Sequence, residues 1–432
     1  MTDILQKYWA TEEFGLALEH RGTSSGYTVP ELVQPGLRRN PRRAHLLVST
    51  VLGKHIPTDP AAVLAAGRDL GLLVSDLLGD DASNALVLGF AETATGLGHC
   101  VAEAVGAGCY LHSTRRRVPG AVVFAGFEEG HSHATSHLLQ PTSPDLFANA
   151  APLVLVDDEI STGATAVDAI RALHRIHPRD RYIVASLVDM RGEEHRRQTA
   201  AAELDLGATI EHVSLADGHT VLPTDLTDRV TALPAPDLNP VAVHRGTVRF
   251  VSVPWPSDVP DGGRHGVLGS DFAAYDSAVA AAAATVESVR ESDRPAIVIG
   301  HEELMYLPLR LAQALSERGT ATRFQTTTRS PAYVRDVPGY PLRRGFSFVA
   351  PEHIPSEHET EAARYLYNAR WGPEPAEVRP ELILVVDSPA DTERLRADGG
   401  VLDVVSAAGE DVLVAVVPAT DPAALAASRE TR

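Results

Sequence analysis

Short, almost continuously apolar runs alternate with longer helical patterns between residues 45 and 215, and this rhythm constrains the fold more than any other feature. The runs at 45–52, 84–90, 109–114, 121–127, 153–158, 181–189 and 208–215 read as strands. The stretches 61–79, 96–106, 165–176 and 193–206 carry helical spacing. Strands that are apolar on both faces need cover on both faces, and helices crossing between parallel neighbours supply it. An α/β fold with a parallel sheet follows. Ligands of such sheets sit beyond the carboxyl ends of the strands. GFAETATG (89–96), after NALVL, and DDEISTGAT (157–165), after PLVLV, both fall there.

The proline-rich stretch LPAPDLNPVAV (233–243) reads as a linker, and the rhythm then resumes. Strands are expected at 246–253, 295–300, 322–327, 345–350, 381–387 and 411–417, with helices at 273–290 and 306–318. The chain thus divides into an irregular segment 1–40, an α/β domain 41–232, a linker 233–245 and a second α/β domain 246–432. In each domain one strand ends in glycine and then an acid, the next in a Thr-Arg pair, and a later one in aspartate. A degenerate repeat of the first domain would show this pattern. Two unrelated α/β domains would share part of it, so both readings stand.

A net charge of −19 argues against broad binding to nucleic acid or anionic membranes. No run of about 18 uncharged apolar residues occurs, and the first residues carry acids where a signal peptide needs a basic head. A cytoplasmic protein is the expectation. Cys100 and Cys109 fit neither a disulfide framework nor a zinc spacing and read as buried thiols. The arginine clusters at 38–43 and 115–117 are either solvated faces or small anion sites.

Asp157 and Asp158 could be a solvated strand end, with Ser161 or Thr162 capping the next helix. That leaves the second carboxylate and the run of small residues unexplained. A phosphate cup explains more: small residues let successive N–H groups converge on one anion at a helix N-terminus. Thr162 and Thr165 add hydroxyls, and no lysine follows Gly163, so this is not a Walker loop. Carboxylates beside such a cup suit a phosphorylated polyol.

VLVDDEISTGAT resembles the phosphoribosyl pyrophosphate (PRPP) motif of type I phosphoribosyltransferases, and residues 45–215 fit that family's strand–helix order. The resemblance implies Mg²⁺-dependent phosphoribosyl transfer between PRPP or diphosphate and an unidentified acceptor, in a homodimer. Asp157 and Asp158 would hold the ribose hydroxyls, with Mg²⁺ held mainly through PRPP nearby. Ser161, Thr162, Gly163, Ala164 and Thr165 would hold the 5′-phosphate. Ala91, Glu92, Thr93 and Ala94 fall at the pyrophosphate loop, and Arg115 and Arg116 at positions that reach the diphosphate or acceptor. FEEGHSHATSHLL (127–139) occupies the place of the family's mobile hood, where His131 and His133 would stabilise or protonate the leaving group. A metal site from Glu128, Glu129, His131, His133 and His137 and a plain exposed polar loop are the alternative readings of that stretch. Lys54 and His55 could act from the strand that starts the domain or across an interface.

TTTRSPAYVRDVPGYPLRRGFSF (326–348) resembles the signature of the TRSP domain, found after a phosphoribosyltransferase domain in tellurite-resistance-type stress gene clusters. That resemblance implies the synthesis or breakdown of a nucleotide-like metabolite. SPADTERL replaces the cup in the second domain, so PRPP binding is not expected there. Thr326 to Arg329 and Arg343–Arg344 would instead meet an anionic acceptor or shape the partner's site. A non-catalytic PRPP- or nucleotide-sensing regulator and a metal-dependent hydrolase built on 128–137 are the alternative functions.

Overall fold

The computed structural model describes residues 8–118, 120–128, 136–291, 294–352, 363–370 and 379–430. The first sheet contains β1 (Ala17–Thr23), β2 (Leu86–Gly89), β3 (Cys109–His112), β4 (Leu153–Ile160), β5 (Arg181–Asp189) and β6 (Thr209–Val221). Their spatial order is β1-β6-β5-β4-β2-β3, and the two-residue strand Val267–Leu268 closes the far edge. β2 to β6 run parallel, while β1 joins β6 antiparallel. Helices α1 (Pro60–Leu78), α2 (Thr95–Val105), α3 (Ala164–Ile176) and α4 (Glu193–Leu206) connect these strands. Asp59 starts α1: its carboxylate accepts from the Ala61 N–H, and Pro60 supplies the first helical φ. Leu153 to Val156 are fully buried, which is why that run is apolar on both faces.

The second sheet is wholly parallel, with order β7-β11-β10-β8-β9. These strands are β7 (Val248–Ser252), β8 (Ala296–Gly300), β9 (Thr322–Thr326), β10 (Glu381–Asp387) and β11 (Val412–Val417). Its helices include α5 (Phe272–Val289), α6 (Tyr306–Glu317) and α7 (Val401–Ala407). The two halves share one chain path. A helix leads to a strand, then helix, strand, a two-stranded ribbon, strand, helix, strand. The ribbons are Ala125–Glu128 with Ser136–Leu139, and Gly345–Val349 with Ala363–Tyr367. Spatial order agrees as well, β5-β4-β2-β3 against β11-β10-β8-β9. This is the topology a degenerate repeat requires.

Each half also covers the other's sheet edge. Val267 and Leu268, just before α5, pair with Tyr110 and Cys109 of β3. Thr58, just before α1, exchanges both backbone hydrogen bonds with Phe324 of β9, at 2.9 and 2.8 Å. Helices α2 and α6 pack between the halves, with the His99 ring stacked 3.6 Å from that of Tyr306.

Three expectations need correction. The N-terminal segment is not irregular: it forms the helix Trp9–Phe14, β1, the turn Val29–Leu32 and the strand Val33–Leu37. The run at 45–52 does not begin the sheet, since His45–Ser49 pairs with Val33–Leu37 in a separate ribbon. In the run at 121–127 only Ala125 onward is strand. Residues 233–247 carry no helix or strand. No described helix is long and apolar enough to cross a membrane. Cys100 and Cys109 are buried, and burial pushes both thiols up to about 12.

Candidate functional site

β2 stops at Gly89, level with Val156 of β4, while β4 runs on beside β5 to Ile160. The chain passes from β2 to β3 on one side and returns through β4 on the other, so a crevice opens at this switch point. Asp157, Asp158 and Glu159 lie on the stretch of β4 that outruns β2, half-buried. Asp157 Oδ1 accepts from the Asp158 N–H at 2.9 Å. Lys54 Nζ stands 3.3 Å from Asp158 Oδ2, and Arg43 donates to Glu159 at 2.8 Å.

These contacts separate the two carboxyls. Burial, then the charge of Asp158, pushes Asp157 well above the usual carboxylate range. Burial acts on Asp158 in the same sense, but Lys54, the hydrogen bond with Asp157 and the nearby His55 together outweigh it and hold that group low. The site therefore presents one firmly ionised carboxylate beside one that is readily neutralised.

Behind them Gly163 adopts φ 80°, a left-handed conformation that glycine reaches without strain, and α3 begins at Ala164. Thr162 Oγ1 accepts from the Ala164 N–H at 3.3 Å. Residues 161 to 165 remain partly open to solvent, and Thr162, Gly163 and Ala164 border a cleft of about 270 Å³ with Arg171, His195 and Gln198. Buried Arg191, held by Asp189 at 2.8 Å, packs against Gly163.

The loop between β2 and α2 is tied from both sides. The Ala91 N–H donates to Ser113 Oγ at 2.9 Å, and Ser113 Oγ lies 2.8 Å from His137 Nδ1. His137 stacks on Phe127, 4.6 Å between ring centres, so it stands in the ribbon core. Glu92 does not face the crevice with its carboxylate. Its Oε1 accepts from the Thr328 hydroxyl and the Arg329 N–H, both at 2.7 Å. The Ala91–Glu92 peptide is cis.

Arg115 and Arg116 part company. Arg115 Nη2 lies 3.5 Å from His137 Nε2. Arg116, expected at the diphosphate or the acceptor, points into the second half, where it meets Asp387 at 3.1 Å and Glu352. His131, His133 and Glu129 lie outside the described residues, and the side chain of Glu128 does too. Among the described residues the triad with metal-ligand spacing is His301, Glu302 and Glu352. Its carboxylates are already paired with Arg116, Arg329 and Arg364. His55 is buried beside the Tyr367 ring, with burial and Lys54 holding it well below its usual value. Sequence reasoning missed Ser113 and His45, and read Arg43 only as part of a cluster that is either a solvated face or a small anion site. Arg43 and His45 belong to the arginine-rich ribbon, whose placement over Glu159 has no local signal.

Three histidines give a pH dependence. Burial is the leading cause that brings His45, His112 and His212 down to about 4. The unfolded chain takes up these protons near pH 6.5, before the folded chain does. Their contribution is complete above about pH 6.5 and falls as pH drops toward 4, by up to about 1.4 kcal/mol per pH unit for each. Urea midpoints at about pH 7.5, 6 and 5 should decrease in turn. A constant midpoint would contradict neutral burial of the three.

Residues 32–219 match the family model described as phosphoribosyl transferase. Residues 261–405 match that of the TRSP domain, C-terminal to PRTase_2. No curated protein matches the chain. Among solved structures, adenine phosphoribosyl transferase from Trypanosoma brucei, in complex with AMP, pyrophosphate and ribose-5-phosphate, is 16% identical with a TM-score of 0.33. That likeness covers 48% of this chain and 82% of the other. The Giardia lamblia enzyme complexed with 9-deazaadenine is 16% identical, TM-score 0.31, over 43% and 93%. The enzyme from Rhodothermus marinus is 14% identical, TM-score 0.29, over 43% and 94%. By its two family matches the chain carries a phosphoribosyl transferase-family domain over residues 32–219, followed by a TRSP domain over residues 261–405.

Proposed function

We propose that the first half transfers phosphoribosyl between PRPP and a base-like acceptor. The observation that carries this reading is the join of Asp157–Asp158, at the switch-point crevice, to a left-handed Gly163 that opens α3. Asp158, kept ionised by Lys54, and Asp157 accept hydrogen bonds from the ribose hydroxyls. The amides of residues 161–165 take the 5′-phosphate with help from the start of α3. The loop 91–94 faces the diphosphate. The C1′–O bond breaks with its electron pair leaving on diphosphate, and an acceptor lone pair forms the new bond at C1′. Positive charge that builds on the ribose ring lies next to the ionised carboxylate.

The donor set fits Mg²⁺ carried mainly on ligand oxygens: Asp157 feels the negative charge of both Asp158 and Glu159 and would gain from a cation. Such an ion would screen the negative charge of the diphosphate. Asp157 and Asp158 orient the sugar, and Lys54 helps to keep Asp158 ionised. A role in a stress or tellurite-resistance pathway, a cytoplasmic location and assembly into homodimers stay with this proposal.

Calorimetric titration of PRPP with Mg²⁺ tests it. Micromolar binding to wild type that Asp157→Asn/Asp158→Asn loses supports the site, and no binding to wild type sinks it. Diphosphate release on adding candidate bases separates a transferase from a sensor that binds PRPP without turnover.

A further inference from the structure

The two halves grip each other through matching residues. The Thr328 hydroxyl and the Arg329 N–H hold Glu92, the third residue after Gly89 at the end of β2. The Thr114 hydroxyl and the Arg115 N–H hold Glu303, the third residue after Gly300 at the end of β8, at 2.7 and 3.4 Å. The flanking bonds correspond too. Ser113 Oγ accepts from the Ala91 N–H, as Thr327 Oγ1 accepts from the Glu302 N–H at 3.1 Å. Thr114 bridges to Leu138 of one ribbon, and Thr328 to Tyr365 of the other.

The segments that cover the sheet edges share this symmetry. GKH at 53–55 and GRH at 263–265 each lead into the first helix of their half. A Cβ on Gly53 would lie 2.6 Å from the Phe324 ring, and one on Gly263 2.3 Å from that of Tyr110, so side chains larger than hydrogen are excluded at both crossings. Lys54 then turns to Asp158, and Arg264 to Asp387 at 3.6 Å.

The symmetry fails where chemistry is lost. Arg116 N–H donates to Thr114 Oγ1 as Ser330 N–H donates to Thr328 Oγ1, so Ser330 matches Arg116. The Arg116 guanidinium fills the strand-end site of the second half, on Asp387 and Glu352. The small Ser330 brings no such group to the first.

We propose that the second half is a fused, diverged second subunit, and that Thr328 and Arg329 position the 91–94 loop of the first half by holding Glu92. The TRSP tetrapeptide (328–331) is on this account a clasp on the neighbouring half and not a ligand site of its own. Thr328 and Arg329 act through Glu92, as positioning residues. The part this plays in catalysis rests on the phosphoribosyl-transfer reading.

The test uses the full chain as wild type, Thr328→Val and Thr328→Ser. Hydrogen exchange of peptides spanning 89–95 needs no ligand and should be faster in Thr328→Val, with Thr328→Ser close to wild type. Affinities for Mg-PRPP and Mg-diphosphate should drop about tenfold in Thr328→Val. Binding of ribose 5-phosphate, which uses the carboxylates and the cup, should not change, and this also shows that the variant is folded. Unchanged exchange, or equal weakening of all three ligands, overturns the proposal. Faster exchange in a chain whose wild type binds no PRPP overturns both the transfer reading and the positioning role within it. Faster exchange with wild-type PRPP affinity in Thr328→Val overturns the positioning role alone.

Discussion

Arg116→Ala should destabilise the folded chain by about 3–5 kcal/mol, the usual cost of removing one partner from a buried ion network. Arg116 is 11% exposed, with Asp387 and Glu352 at 1% and 7%. Burial works against its charge, but the surrounding acids win and hold it well above its usual range. Its removal leaves two buried carboxylates short of counter-charge, with Arg264 3.6 Å from Asp387 and His301 3.1 Å from Glu352. Arg116→Met combined with Asp387→Asn should recover part of the loss, because one of the stranded charges is removed with its partner. Urea unfolding measures both. A loss below about 1 kcal/mol, typical of exposed pairs, would show that the contact is not held in solution.

The second large effect concerns turnover. Asp158→Asn should slow phosphoribosyl transfer by about 10²–10³-fold, the scale for deleting one preorganised electrostatic contact to a transition state. Lys54→Met should act on the same group through its proton. Lys54 is the foremost of the groups that together hold Asp158 low against burial, and without Lys54 its pKa rises. In the proposed transfer the ionised form is the working form, so activity is expected above that pKa and is lost as pH falls through it. The acid limb of the rate profile should therefore move to higher pH in Lys54→Met, and the plateau above it should change less. An acid limb that stays in place would separate Lys54 from the titration of Asp158.

The sheet strands and the Asp157–Asp158 and STGAT stretch were legible because each rests on local chemistry. Leu153 to Val156 must be apolar to cross a covered sheet, and Gly163 must be small to turn left-handed before α3. What escaped was set by contacts between distant segments. β1 reads as polar because it is an edge strand with an exposed face, and its hydrogen bonds to β6 leave no apolar signature. Val267–Leu268 is too short for any periodicity. Arg115 and Arg116 are adjacent in sequence yet face different halves, and nothing in STRRR announces a partner at Asp387. Glu92 is the instructive case: its position in the β2–α2 loop was readable, but the owner of its carboxylate was 236 residues away.

The crossed edge strands bear on how such a chain can be made. β3 is an edge until Val267 and Leu268 arrive to cover it, and an uncovered edge is a template for pairing with other chains. During synthesis the first half must therefore wait, with one side of its sheet open, for a segment that emerges only after the linker at 233–245. A gene split at that linker would yield two fragments, each with a bare strand, that should aggregate apart and rescue one another only when made together.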